Sequence, residues 1–588
     1  MARILATTLL AGTVLGLGAG AAPPACATAN APPGALPGAS APAPYWVFFR
    51  DPADAAGSEL RSELPEADPS LTPRAIARRE KARRERARLG GAPWTERRRT
   101  DSPPSPGPSP VRLAALESTG ARLRTISRWL NAASVDAGPA SLDAIRSLSF
   151  VLEVKPVGTL RSSAAKERWQ GVGLDFADGW GGVEDAGPSH AQLAPIGILE
   201  AHAMGYQGEG VLIGVLDSGF TLRHEAFRNI DVRALRDFVQ GDDDPADDRA
   251  RTPPDPAGAQ NHGTQVLSLI AAARPGRMMG AAPRASFLLG KTERSGSETP
   301  AEEDNWVAGI EWAEAQGADV ITTSLSYTNW YRLANLDGRS AVTTRMANLA
   351  WERGVLLLNS AGNRGPEAST LGAPADAPGV LTIGSIELDG RLSRFSSRGP
   401  TGDGRVKPDL VAPGSRVLIA SAGTLDRYHR GNGTSYATPL VAGVAALVVE
   451  AHPDWGPETV REAIVMSADR ADRPDNDHGW GIPHAHRAIL YPFLAGAIRD
   501  GGTGKPIADA TVAWERTGET PGAWAAPGDS PAAGETLTGA GGGYEIPNLP
   551  PGRYRLTISA EGYAPESLGP FDVPPNLEGI DAALAPAR

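Results

Sequence analysis

Short, largely apolar runs alternate with segments of helical periodicity between residues 196 and 490. The runs lack the polar alternation of a half-exposed strand, which is typical of strands buried on both faces of a parallel sheet. They cover residues 211–216, 318–322, 355–358 and 380–383. Helical patterns lie near residues 264–273, 302–316, 341–353, 436–451 and 457–467. Strands alternating with helices predict a doubly wound α/β domain with a parallel sheet, in which catalytic residues belong at the carboxyl ends of the strands.

Two smaller segments flank this block. From residue 45 to 157 the order is strand, helix, strand, strand, helix, strand, which predicts a small ferredoxin-like α/β unit. Its two helices fall near residues 111–119 and 141–148. From residue 493 to 588, short strands separated by Gly and Pro turns predict an antiparallel β-sandwich.

A strongly basic segment lies inside the smaller N-terminal unit. Residues 74–99 contain eleven Arg or Lys against three Glu, a charge density typical of a nucleic-acid-binding arm. The whole chain is acidic, however, with a net charge of -11, and this balance argues against nucleic acid as a partner. We therefore interpret the segment as a solvated helix, interleaved with Glu80 and Glu85 and ended by Gly90-Gly91.

An uncharged apolar stretch at residues 4–22 is followed by small residues, a pattern typical of an export signal. We predict a signal peptide over residues 1–27, cleaved after Ala21 or after Ala27. Two alternatives stay open: a retained membrane anchor, because about 20 apolar residues span a bilayer, and lipidation of Cys26. We expect a secreted, extracellular or periplasmic protein that contacts a membrane only in those two cases. Cys26 is the only cysteine, which excludes an intramolecular disulfide.

Three polar residues stand next to predicted elements in glycine-containing contexts. Asp217 follows the run at 211–216 and precedes a glycine turn. His262 precedes one apolar helix and Ser435 begins another. Taken singly, Ser435 is most simply a helix cap, and Pro439 fits the first turn of the same helix. As a set, the three supply a serine nucleophile, a histidine base and a carboxylate that orients the base.

The chain order Asp, His, Ser and the surrounding sequences resemble the subtilisin-like (S8) serine endopeptidases over residues 200–490. The matching motifs are Val215-Leu216-Asp217-Ser218-Gly219, His262-Gly263-Thr264 with Val266, and Gly433-Thr434-Ser435-Tyr436-Ala437-Thr438-Pro439. The resemblance implies that Ser435 attacks the scissile carbonyl of a peptide, that His262 takes and returns the proton, and that Asp217 orients His262.

Further residues match motifs of the same family. The resemblance implies that the side chain of Asn363 donates to the oxyanion, together with the backbone N–H of Ser435. It also implies that Ser324-Leu325-Ser326 forms the edge along which a substrate backbone pairs. Ser326 stands where the family usually has glycine. The other residues implied to bind substrate are Ser360, Ala361, Gly362 and Thr434.

The flanking units also fit the resemblance. It implies that residues 45–157 form a propeptide, which assists folding and then occupies the cleft, and that residues 190–490 form the catalytic domain. Residues 493–588 resemble a carboxypeptidase regulatory-like β-sandwich. The implied function is hydrolysis of protein or peptide substrates by a self-processed zymogen. Its own propeptide is the expected partner, and maturation cleavage is expected between residues 158 and 190.

No cofactor is required for this chemistry, and structural calcium is the one ion to consider. Oxygen ligands cluster at Asp242, Asp243, Asp244, Asp247 and Asp248, although Pro245 interrupts their spacing and a solvated loop is the simpler interpretation.

Two other function classes stay open. The first is an inactive protease-fold binding or adhesion protein, which would normally lack a triad or oxyanion residue, and here none is missing. The second is an acyltransferase or peptide ligase using the same triad, which would need a site that excludes water.

Overall fold

The computed structural model of the chain describes residues 42–50, 70–88, 107–157, 183–246, 258, 260–294, 301–324, 326–327, 331–518, 533–549, 552–573 and 579–587. The predicted signal peptide, most of the predicted maturation segment, Asp247, Asp248 and Leu325 lie outside these residues.

The N-terminal unit is a four-stranded antiparallel sheet in the order β2-β3-β1-β4. Its elements are β1 (Ala43–Phe49), α1 (Pro73–Arg88), α2 (Pro110–Ser118), β2 (Arg122–Ser127), β3 (Ala132–Ala137), α3 (Pro139–Ser147) and β4 (Val151–Pro156). Alternate residues of a strand point to opposite faces. Val47 therefore packs with Leu116 and Ile145 of the two helices, whereas Trp46 and Phe48 join the core of the large α/β unit. This arrangement has the predicted ferredoxin-like order.

The basic segment forms helix α1, and its interpretation as a solvated helix holds for one face only. Glu80, Arg83 and Arg84 are exposed, whereas another face is buried. Arg78 is 4% exposed and Glu85 is 3% exposed, and both bond to the large α/β unit. Apolar periodicity could not reveal this contact, because the buried face of α1 consists of these charged side chains together with Ala75 and Ala82.

The large unit contains a seven-stranded parallel sheet in the order β13-β12-β11-β10-β5-β9-β6. Its elements are α4 (His190–Leu193), α5 (Ile198–Ala203), β5 (Leu212–Asp217), β6 (Asp231–Asp237), α6 (Asn261–Ala271), β7 (Ala273–Arg274), β8 (Met278–Met279), β9 (Ser286–Lys291), α7 (Ala301–Gln316), β10 (Val320–Thr323), α8 (Val342–Glu352), β11 (Leu356–Ser360), β12 (Val380–Ile386), β13 (Leu410–Pro413), β14 (Ser415–Ala420), β15 (Tyr428–Asn432), α9 (Thr434–Ala451), α10 (Pro457–Met466) and α11 (Ala485–Leu490). The predicted doubly wound fold is confirmed.

Strands β6, β9 and β13 were not among the predicted runs. β6 is the edge strand of the sheet and carries four charged residues in seven, so it lacks a continuous apolar run. β13 has only four residues and ends in a proline. Pairing with neighbours distant in sequence, rather than local composition, makes these segments strands.

Helices cover both faces of the sheet. Ile213 and Val215 of β5 pack with residues of α6 and α9, while Leu212 and Leu216 pack with residues of α7 and α8. Within the described part of the chain, α9 is the one helix long and apolar enough to cross a membrane, and most of it is buried inside the protein. A helix that is apolar all round is typical of such a core position.

The C-terminal unit consists of two facing sheets with their own apolar core. One has the order β19-β16-β22 and the other β18-β17-β20-β21. The strands are β16 (Leu494–Asp500), β17 (Thr511–Gly518), β18 (Ala533–Leu537), β19 (Gly543–Ile546), β20 (Gly552–Ser559), β21 (Glu566–Val573) and β22 (Ala582–Leu584). Burial alternates residue by residue along β20, as expected for a strand with one face in a core. The strand-rich unit fits the predicted sandwich, but its pairing is not antiparallel throughout, because β16 and β22 pair in parallel.

Candidate active site

Asp217 and His262 form a hydrogen-bonded pair at the carboxyl edge of the parallel sheet. Asp217 is the last residue of β5 and is fully buried, and His262 is the second residue of α6. His262 Nδ1 lies 2.8 Å from Asp217 Oδ1 and 3.0 Å from Asp217 Oδ2. Because a carboxylate only accepts hydrogen bonds, Nδ1 carries the proton of the neutral ring and Nε2 keeps a lone pair.

Glycine allows α6 to begin this close to β5. A Cβ atom on Gly263 would lie 2.3 Å from the carbonyl oxygen of Gly219 and 3.1 Å from Asp217 Cβ. The N–H of Gly263 donates to Ser218 Oγ at 3.3 Å, and the N–H of Ser218 donates to Asp217 Oδ1 at 2.7 Å. The glycines of the two motifs thus bring carboxylate and imidazole together.

The surroundings of His262 control its protonation. Partial removal from water lowers the pKa of the imidazole, but the charge of Asp217 and its hydrogen bond raise that pKa more. The net pKa of His262 is therefore above the ordinary value of a histidine. The side chain is 36% exposed, so a reactant can reach this base.

Ser435 is the second residue of α9 and lies at the same corner of the molecule. The ring of Tyr436, the next residue, is 6.0 Å from the ring of His262 between centroids. Gly433 occupies the cap position of α9, so the explanation of Ser435 as a helix cap is wrong. The backbone N–H of a second helical residue has no carbonyl partner within its helix and is free to bind a ligand.

The expectation that Pro439 lies in the first turn is also wrong, because Pro439 is the sixth residue of α9. A proline there lacks the N–H that would bond to the carbonyl four residues earlier, which belongs to Ser435. That carbonyl accepts a hydrogen bond from Ser324 Oγ at 3.4 Å. The start of α9 is thereby tied to the chain that follows β10.

Asn363 is oriented by its contact with Thr434. Asn363 Oδ1 accepts from the Thr434 N–H and from Thr434 Oγ1, both at 2.9 Å, which leaves Nδ2 to donate elsewhere. A Cβ atom on Gly433 would lie 3.8 Å from Asn363 Nδ2 and 3.7 Å from the Ser435 nitrogen. Both nitrogens therefore flank one point at the N-terminus of α9, where the helix dipole favours negative charge.

The residues before Asn363 continue the edge of the sheet. Ser360 ends β11, and the N–H of Ala361 donates to the Ile383 carbonyl of β12 at 2.9 Å. Gly362 has a φ of 103°, and a Cβ atom on it would lie 3.0 Å from Ser326 Oγ. The Ser326 hydroxyl is buried and finds no hydrogen-bond partner among the described residues.

Two side chains, Thr264 and Tyr436, make supporting hydrogen bonds that the sequence patterns do not predict. Thr264 Oγ1 donates to the Gln260 carbonyl at 2.6 Å and accepts from the Thr221 N–H at 2.9 Å. Tyr436 Oη donates to Gln265 Oε1 at 2.6 Å, which links α9 to α6. Thr264 and Tyr436 belong to the matched family motifs, which could have pointed to them. Gln265 belongs to none of these motifs.

A second, partly buried acid, Glu293, lies near Asp217. Its N–H donates to the Asp217 carbonyl at 3.4 Å. Burial, followed by the negative charges of Asp217 and Glu302, raises the pKa of Glu293 well above its ordinary value. These surroundings favour the neutral form of the Glu293 side chain.

The acidic residues considered for calcium bond to neighbouring residues. Asp242 Oδ1 accepts from the Asp244 N–H at 2.9 Å, and Asp243 pairs with Arg236 at 2.9 Å. Across the described ranges, no three His, Cys, Asp or Glu side chains converge as a metal site. Structural calcium stays the alternative to a solvated loop.

Comparison with known proteins decides the family. The sequence profile of the subtilase family matches residues 208–481. Subtilisin E of Bacillus subtilis (strain 168) is 33% identical over 288 residues, which cover 47% of this chain and 67% of that protein. Subtilisin of Bacillus pumilus is 32% identical over 287 residues, which cover 47% of this chain and 92% of that protein. The chain belongs to the subtilase family.

The flanking units of this subtilase match known domains as well. The profile of the Bacteroidota propeptide domain of peptidase S8 matches residues 44–170, and that of the carboxypeptidase regulatory-like domain matches residues 494–585. Fervidolysin of Fervidobacterium pennivorans, a keratinolytic enzyme related to subtilisin, covers 94% of this chain and 79% of its own, with a TM-score of 0.52 and 17% identity. The likeness to fervidolysin concerns the fold alone. The protein is a serine-type endopeptidase with a propeptide and a C-terminal regulatory-like domain.

Proposed function

We propose that this subtilase hydrolyses peptide bonds through Ser435, His262 and Asp217. The observation that carries the proposal is the 2.8 Å pair between His262 Nδ1 and Asp217 Oδ1 beside the helix start that holds Ser435. In this tautomer Nε2 accepts the hydroxyl proton of Ser435 as the oxygen attacks the scissile carbonyl. The buried carboxylate of Asp217 stabilises the imidazolium that forms, and His262 then returns the proton to the leaving amine.

Charge develops on the carbonyl oxygen during the attack. Asn363 Nδ2 and the Ser435 N–H are the donors for this oxyanion, because Thr434 fixes the amide of Asn363 with its nitrogen free. Donors held in place before the reaction stabilise the transition state without a cost of reorganisation. Backbone groups of Ser324-Leu325-Ser326 and Ser360-Ala361-Gly362 that make no bond within the protein then hold the substrate backbone as an added strand.

The same chemistry processes the zymogen. We propose that the chain is exported, that Ser435 cleaves the segment between the N-terminal unit and the catalytic unit, and that the mature enzyme acts outside the cytoplasm. Support comes from the signal-like residues 1–27 and from the matched propeptide domain. An inactive binding protein is not favoured, since every residue of the triad and of the oxyanion pair is present. A peptide ligase is not favoured either, since it would need a site that excludes water, whereas the side chain of His262 is 36% exposed.

The test is the full chain carrying Ser435→Ala, expressed in a host without other proteases. We expect it to fold, to stay full-length and to hydrolyse no fluorogenic peptide, because the hydroxyl is the nucleophile. Ser567→Ala, an exposed serine of the C-terminal unit, is the matched control and should process like the unaltered chain. N-terminal sequencing and peptide hydrolysis report both outcomes. Normal maturation of Ser435→Ala would refute the mechanism.

A further inference from the structure

Helix α1 contacts the catalytic unit at the edge of the sheet opposite the active site. Its side chains reach Gly210, which precedes β5, Gly317 and Asp319, which precede β10, and Gly354, which precedes β11. These positions lie at the amino ends of parallel strands, whereas Asp217 lies at a carboxyl end. A six-residue strand separates the two edges by about 20 Å, so α1 is not part of the substrate cleft.

The first contact closes the C-terminal end of α7. Thr72 Oγ1 donates to the Ala315 carbonyl at 3.1 Å, and Arg74 Nε donates to the Gly317 carbonyl at 3.2 Å. Arg78 Nη1 donates to the carbonyls of Glu314 and Ala318. The last carbonyls of a helix have no partner within it and carry partial negative charge, so arginines are the complementary groups there.

A buried carboxylate strengthens this contact. Glu314 is fully buried, and both of its oxygens bond to α1. Arg79 Nε and Nη2 donate to Glu314 Oε1 and Oε2 at 2.7 and 2.6 Å, and Arg78 Nη2 also donates to Oε1. Removing one member of such a pair leaves a desolvated charge without its partner.

Two further helix ends meet the other half of α1. Arg86 Nη2 donates to the Trp351 carbonyl at 2.6 Å, at the C-terminus of α8. Glu85 accepts from the N–H groups of Glu458 and Thr459 at 3.2 and 3.0 Å, at the N-terminus of α10. Basic groups therefore meet two C-termini and an acidic group meets an N-terminus, which is the favourable sign at all three ends.

Glycines make room for α1 at each of these ends. A Cβ atom on Gly317 would lie 2.8 Å from Arg74, one on Gly354 would lie 2.8 Å from Ala82 Cβ, and one on Gly456 would lie 2.0 Å from Glu85 Oε2. We call the surface formed by the C-termini of α7 and α8 and the N-terminus of α10 the helix-end groove. Its shape and its charge both fit α1.

We propose that the helix-end groove is a second binding site for the propeptide, and that α1 retains the propeptide there after the chain is cut between residues 157 and 183. The proposal rests on the proposed zymogen processing. Two linked attachments bind far more tightly than either alone, because the second forms at high effective concentration. Departure of the propeptide is then limited by release of α1, at a distance from the cleft.

The test uses the full chain with Ser435→Ala, so that the readout requires no catalysis. A recognition sequence for a site-specific protease is introduced between residues 158 and 182, and the chain is immobilised through its C-terminus. After the cut, the rate at which the N-terminal fragment leaves is measured. We expect Arg78→Ala with Arg79→Ala to raise this rate at least about tenfold, because the pair with Glu314 is lost.

Arg83→Ala with Arg84→Ala is the matched control, since it removes the same charge from exposed positions of the same helix. Its rate should stay within about twofold of the unaltered chain. If the Arg78 and Arg79 variant fails to fold, Arg86→Ala at a partly exposed position and Glu314→Gln on the groove side replace it. Departure at the unaltered rate in the folded variants would overturn the proposal, whatever the outcome of the Ser435→Ala activity test.

Discussion

At the carboxyl edge of the parallel sheet, α6 and α9 begin beside Asp217. Their first-turn N–H groups at Gly263 and Thr434 bond to Ser218 and Asn363, and the N–H of Ser435 is the proposed oxyanion donor. At the amino edge, α7 and α8 end and α10 begins, and charged side chains of α1 bond to those ends. The contacts at both edges thus involve the backbone groups that a helix leaves unpaired at its ends. Left open at Ser435, such a group is the one we propose for catalysis. Covered by a helix of the same chain, such groups serve binding.

The difference between the two edges is clearest at two buried carboxylates, one at each edge. Asp217 and Glu314 are both fully buried, and each bonds to a nitrogen-bearing side chain. We expect Asp217→Asn, processed in trans, to lower kcat by about 10⁴, because an amide no longer selects the tautomer of His262. Glu314→Gln should leave kcat of the processed enzyme within about twofold and loosen the propeptide instead. Equal losses of kcat would show that the edges are not separate.

Removal of an oxyanion donor is expected to have the next largest effect on kcat at the carboxyl edge. We expect Asn363→Ala to lower kcat by about 10² to 10³ with little change in KM, a loss of the size measured for the oxyanion asparagine of subtilisin. Asn348→Ala is the control amide, because Asn348 bonds only to backbone groups of Gly338 and Gly379. It should change thermal stability and not kcat. An unchanged kcat in Asn363→Ala would remove Asn363 from the mechanism.

The pH profile tests the charge of the carboxyl edge. Only neutral His262 accepts the proton of Ser435, and Asp217 raises the pKa of His262 above its ordinary value. kcat/KM should therefore rise with pH through a midpoint above about 6.5 and fall about tenfold for each pH unit below it. The measurement is kcat/KM on a peptide between pH 5 and 9. A flat profile would assign the limiting step to another group.

Removal of the C-terminal unit is expected to have the smallest effect on peptide hydrolysis. It has its own core, and the N–H groups of Asn548 and Leu549 donate to the carbonyls of Leu490 and Pro492 in the preceding segment. Truncation after Pro492 should change kcat/KM on a short peptide by less than about twofold and should alter binding to large substrates. A tenfold loss, or a large drop in Tm, would show that the two units fold as one.

Much of the carboxyl edge was predictable because the sequence patterns that mark it each span only a few residues. An apolar run ending in Asp217, a glycine after His262 and a glycine before Ser435 each describe a strand end or a helix start within a few residues. The parallel sheet was predictable for the same reason, except at β6, β9 and β13. Edge position removes the apolar signal from β6 and short length removes it from β13.

What the sequence alone determined is therefore the order of the units, the parallel sheet, the catalytic candidates and their chemistry. Only the tertiary structure decided that Gly433 rather than Ser435 caps α9, that Pro439 frees the Ser435 carbonyl for Ser324, and that one face of α1 is buried. The physical reason is clearest for α1. A helix with Arg78 and Glu85 on one face has the composition of a solvated helix, and that face is buried only because Glu314 and the N-terminus of α10, more than 200 residues away, supply opposite charge.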